Sequence, residues 1–155
     1  MLQVKIVPVT AFQQNCSILW DSESKEAVLI DAGGEPEKLQ AEVETLGLTV
    51  KALWLTHGHL DHAGAVGALS RIWNVPVIGP HKEDQFWLDM LQDVSARYGF
   101  PIPEPVNVTQ WLEGGAAKAM SNTAAFLKSQ GRIQEAKPDY TAFVTDSYVK
   151  KAVAR

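Results

Sequence analysis

The chain has 155 residues, 46% of them hydrophobic and 21% charged, with a net charge of -4 and a mean hydropathy of -0.09. That balance excludes a disordered polyelectrolyte, and a pI near 5.5 gives no electrostatic footprint for nucleic acid or an anionic membrane. A single cysteine, Cys16, excludes an internal disulfide, and no apolar run is long enough for a signal-peptide core or a bilayer span, so a cytoplasmic globular protein is expected.

Three short runs rich in Val, Ile and Leu open the chain, at residues 3–9, 15–20 and 26–30, separated by turn-prone residues, and they predict three strands. After Asp31-Ala32-Gly33-Gly34, Pro36 suits a first helical turn, and Leu39, Val43 and Leu46 recur at helical spacing before Gly47. Residues 50–55 are apolar apart from Lys51, as in a strand covered on both faces by crossover helices. Val66, Leu69 and Trp73 predict the next helix, and residues 75–78 a further strand. From Pro80 to Gly99 a single helix is expected with Phe86, Met90 and Val94 on one face, followed by extended chain at Pro101, Pro103 and Pro105. This alternation predicts a layered α/β domain.

Composition changes at Gly114-Gly115. The residues up to 114 hold seven Lys/Arg against fifteen Asp/Glu, all five Trp and all four His, whereas the remainder holds seven against three and nine Ala. Two units are therefore expected, 1–114 and 115–155, the second a helical tail.

Three of the four histidines fall within His57-Gly58-His59-Leu60-Asp61-His62, directly after the apolar strand. Neutral imidazoles and a carboxylate suit zinc or a similar first-row divalent ion, and strand C-termini are where α/β proteins build ligand sites. His57 and His59 point the same way in an extended loop, Asp61 and His62 open the next helix, and Gly58 permits a tight bend between them. Asp31 is either a carboxylate that buttresses the histidines or an ordinary turn residue. His81 is expected to be a helix-start residue without a ligand role, Cys16 a small buried hydrophobe, and the tryptophans packing groups.

The segment Thr56 to His62 resembles the HxHxDH signature of metallo-β-lactamase-fold hydrolases, and residues 8–16, 29–34 and 79–84 resemble the glyoxalase II-like branch. The resemblance covers about residues 1–114. It implies the N-terminal half of an αββα sandwich, with His57 and His59 on a first Zn2+ and Asp61 and His62 on a second. It also implies Asp61 orienting the nucleophile, Asp31 supporting the histidines from behind, and a thioester or ester of the hydroxyacyl-glutathione type as the small-molecule substrate. The family's three further ligands, a histidine after Pro-Gly, an aspartate after glycine and a final histidine, have no counterpart here, since no histidine follows His81 and no Gly-Asp dipeptide occurs. Residues 116–153 instead resemble the C-terminal end of taurine or sulfonate substrate-binding proteins of ABC transporters. Two readings follow: a metal-dependent hydrolase, or a non-catalytic truncated or fusion protein that retains weak metal binding. An uncovered inner sheet face, in either case, would favour self-association.

Overall fold

The computed structural model describes residues 1–113, so the expectations for the tail, including its helices and its transporter resemblance, lie outside the described residues. Strands β1 (Leu2–Val9), β2 (Gln14–Asp21) and β3 (Glu26–Ile30) form an antiparallel meander. The chain then passes through helix α1 (Pro36–Thr45) to β4 (Thr49–Trp54), which pairs parallel with β3. Helices α2 (Leu60–Ala63) and α3 (Val66–Trp73) lead to β5 (Val77–His81). A 3-10 turn at Lys82–Asp84, α4 (Gln85–Asp89) and α5 (Leu91–Tyr98) precede β6 (Gln110–Leu112). The six strands lie side by side in chain order.

Register decides which side of this sheet is the core. Ile18 faces Leu29, Leu29 faces Leu53 and Leu53 faces Val77, so four adjacent strands contribute one row of side chains, and every member is fully buried. Leu39 and Val43 of α1, Val66 and Leu69 of α3, Leu88 of α4 and Leu91 of α5 close over the same face as one cluster. Each such aliphatic side chain contributes roughly 1.5–3 kcal/mol of burial. Alternation puts Val4, Ile6 and Trp54 on the opposite face, where they are 59%, 49% and 40% exposed. Among the described residues the continuous apolar run of β4 is therefore covered by helices on one face only, which differs from the two-faced expectation. An apolar run shows that both faces are apolar without showing what lies on each.

Helix α1 follows its sequence signals, with Pro36 in the first turn, Leu39 and Val43 buried, and Gly47 at φ 64° after the last turn. The single helix expected over residues 80–99 is a strand end, a 3-10 turn and two short helices that meet at Met90. Leu88, Leu91 and Ser95 are the buried residues of the two helices, while Phe86 is exposed. Among the described residues no helix is long and apolar enough to cross a membrane.

Cys16 sits in the core row of β2, fully buried, and loss of hydration together with the Asp31 carboxylate pushes its thiol up to about 12. Because the thiolate is the nucleophile, iodoacetamide at pH 8 should leave the folded chain unlabelled and modify Cys16 fully once guanidinium unfolds it. Equal labelling of both states, read by mass spectrometry, would contradict this packing.

Candidate metal centre

Parallel pairing of β3 with β4 brings their C-terminal ends together, since Ile30 faces Trp54. The backbone N–H of Asp31 then donates to the Trp54 carbonyl at 2.9 Å, and Asp31 takes φ 56°, a left-handed conformation that aspartate tolerates better than most residues. Its buried carboxylate turns toward the loop that leaves β4.

Asp31 accepts three hydrogen bonds from that loop and the turn behind it. Oδ1 takes the Thr56 backbone N–H at 2.8 Å, while Oδ2 takes the Thr56 hydroxyl at 2.6 Å and lies 3.0 Å from His62 Nδ1. An ionised carboxylate only accepts, so His62 carries its proton on Nδ1. The Thr56 hydroxyl hydrogen is directed at Asp31, so its oxygen accepts from His57 Nδ1 at 3.0 Å. One carboxylate thus fixes both rings in the same tautomer, His62 directly and His57 through the threonine hydroxyl. Each Nε2 keeps its lone pair. Burial, and then the neighbouring His62 and His59, hold His57 below the usual imidazole range against the opposing pull of Asp31 and Asp61, which favours the neutral form that ligates a metal.

Helix α2 is a single turn capped by His59, and the N–H groups of His62 and Ala63 donate to the His59 carbonyl at 3.0 and 2.9 Å. It rests directly on the Gly33-Gly34 turn: a Cβ on Gly33 would overlap the Asp61 carbonyl, and one on Gly64 the Gly33 carbonyl. Gly58 has no positive φ, so the bend expected there is not what it provides. It allows close approach to Asp84 and Trp87, and its N–H donates to Asp84 Oδ2 at 3.0 Å.

Asp31, His57 and His62 place one donor atom each within 4.8 Å of one another. His59 is exposed, with its ring edge-on to His57 at 4.8 Å and to Trp87 at 4.6 Å. Asp61 Oδ2 lies 3.4 Å from His62 Nε2. The chemistry of these side chains fits a divalent ion, since the imidazoles are oriented and carboxylates stand beside them. With three hydrogen bonds already accepted, Asp31 is better placed to orient ligands than to be one. Sequence reasoning gave no role to Thr56, Gln14 or Asp84, although Thr56 stood inside the quoted motif. Gln14 Nε2 lies 3.4 Å from His62 Nδ1. His81 does stand at a helix start, its Nδ1 accepting from the Glu83 N–H at 3.3 Å.

A family profile described as Metallo-beta-lactamase superfamily matches residues 9–125. The hydroxyacylglutathione hydrolase GloC of Haemophilus influenzae is 47% identical over 111 residues, which is 72% of this chain and 52% of that protein. The probable metallo-hydrolase YqgX of Bacillus subtilis is 34% identical over 53% of this chain and 37% of its own length. This chain therefore spans about half the length, or less, of these curated relatives. Among solved structures, TTHA1623 in a di-iron-bound form superimposes with a TM-score of 0.64 at 37% identity, over 72% of this chain and 55% of that one. The B3 metallo-beta-lactamase BLEG-1 gives 0.64 at 34% identity, over 76% and 55%.

Proposed function

Because this chain belongs to the metallo-beta-lactamase superfamily, we propose that it carries the metal-binding half of a hydrolase acting on thioesters of the hydroxyacyl-glutathione type. The observation that carries the reading is the Asp31 carboxylate, which holds His57 and His62 in the ligating tautomer. His57 and His59 would hold a first divalent ion and Asp61 and His62 a second. Zinc is our assignment, although a similar structure is described with iron. Such an ion supplies a nucleophile at neutral pH by lowering the pKa of water to about 7. Asp61 accepts a hydrogen bond from the attacking water and aligns it, Asp31 and Thr56 prevent the imidazoles from turning, and Trp87 shields the outer edge of His59. A reducing, cytoplasmic setting belongs to the same proposal, because the free thiol of Cys16 is buried without a partner cysteine.

A second reading has its own observation. Catalytic zinc takes about three protein ligands, whereas these four residues give each of two ions only two. That describes a metal-binding protein without turnover. Zinc titration and thioester cleavage measured on the same preparations separate the readings. We expect zinc binding that His57→Ala and His62→Ala each reduce, that the two together abolish and that His81→Ala leaves intact, with slow cleavage that follows the bound zinc. Binding without cleavage above that of free zinc assigns the second reading. Equal binding by all three variants overturns the site.

A further inference from the structure

We propose that the cavity beside His59 and Asp61 seats the acyl side chain of the substrate and that this side chain is apolar, branched or aromatic. The inference rests on the thioester-hydrolase reading and narrows its substrate class. The cavity has a volume of about 360 Å3, within the range of small-molecule sites. Its walls come from four parts of the fold: Phe12 from the β1–β2 turn, Trp87 from α4, Val94 and Tyr98 from α5, and Phe100 after it. The Phe12 and Phe100 rings meet at 5.4 Å and brace one side, while Trp87 meets His59 edge-on at 4.6 Å and joins the apolar wall to the candidate metal centre.

The apolar, aromatic character of the walls points to the part of a thioester that enters. Among the described residues the cavity is lined by no Lys or Arg, and its ionisable groups are His59, Asp61 and Tyr98. A glutathione moiety brings carboxylates that meet no cation among these described lining residues, and a charge taken from water without a partner is costly. A hydroxyl next to the carbonyl stays at the mouth beside His59 and Asp61, whereas one further along the acyl chain would face aromatic carbon and lose its hydrogen bonds to water. An aryl or branched alkyl group loses nothing polar and gains contact with every wall. With His59 and Asp61 at the mouth, such a group leaves the thioester carbonyl beside the proposed ligands and the thiol portion outside.

The test compares S-phenylacetyl-N-acetylcysteamine with its S-lactoyl counterpart as ligands of the zinc-free chain, by ligand-detected NMR titration. The phenylacetyl thioester should bind about tenfold more tightly, the scale on which an apolar pocket discriminates such groups. Val94→Phe, which fills the cavity, should remove the preference. Tyr98→Ala should reduce it by alteration of an exposed rim residue, where folding is not at stake. Equal affinity for the two thioesters, or a preference that survives both substitutions, overturns the assignment. A preference without any zinc-dependent cleavage would leave this assignment standing while the hydrolase reading falls. Zinc-dependent cleavage that favours the lactoyl thioester would do the reverse.

Discussion

Asp31→Asn should lower zinc affinity by about 10–100-fold while the chain remains folded. Asparagine keeps the shape and tolerates the left-handed backbone at φ 56°, so the fold is not asked to change. The hydrogen-bond chemistry does change. A carboxylate accepts from Thr56 N–H, Thr56 Oγ1 and His62 Nδ1, but an amide offers one acceptor oxygen and an NH2 group that only donates. With the amide oxygen on Thr56 N–H, its NH2 faces His62 Nδ1 and the threonine hydroxyl. His62 then moves its proton to Nε2 to accept that donor, and the lone pair that would meet the metal is gone. The threonine hydroxyl turns as well, releasing His57. Thr56→Val should give a smaller loss, confined to the His57 side, and Thr56→Ser should restore the affinity. Competition against a chelator of known affinity measures all three. An Asp31→Asn chain that binds zinc as tightly as the parent would show that the carboxylate does not set the tautomers.

The second large effect is expected at Gly33. An added Cβ there would overlap the carbonyl group of Asp61 and approach Gln14 Oε1 at 2.9 Å. The principal obstacle is backbone, so no rotamer change relieves it, and the turn that carries Asp61 and His62 has to lift away. Gly33→Ala should cost about 3 kcal/mol, the upper range for overpacking, and lose zinc binding with it. Gly47→Ala is the matched control. Gly47 needs its φ of 64° but has open space around it, so alanine meets only the conformational penalty of about 1 kcal/mol. Urea denaturation of the two variants separates steric from conformational cost, and equal midpoints would contradict the close approach.

The parts of the fold legible in the sequence were those set by local chemistry. Pro36, Leu39, Val43 and Gly47 together specify where α1 starts, which side it buries and where it stops. The spacing from His57 to His62 identified the candidate ligands, because few other roles bring imidazoles that close. Thr56 escaped notice because its role depends on Asp31, 25 residues earlier, and only the parallel pairing of β3 and β4 joins them. Phe86, Met90 and Val94 do not form the single helical face expected of them, for a related reason. Their spacing is helical, but the break at Met90 rotates α4 against α5, and Leu88 and Leu91 become the residues that face the sheet. β6 was not anticipated, since its three residues are defined by a neighbour, with Ile78 facing Gln110 and Thr109 N–H donating to the Val77 carbonyl.

The strand order also fixes a schedule. Among the described residues every strand lies beside the one before it in the chain, so none of these strands waits for a later segment before it can pair. On a ribosome, which extends the chain at about 5–20 residues per second, the β1–β3 meander can close while α1 is still being made. Asp31 is then already at the end of its strand when Thr56 and the histidines emerge, and Asp84 and Trp87 arrive last to pack against Gly58. The anchor of the site is in place before the groups it holds.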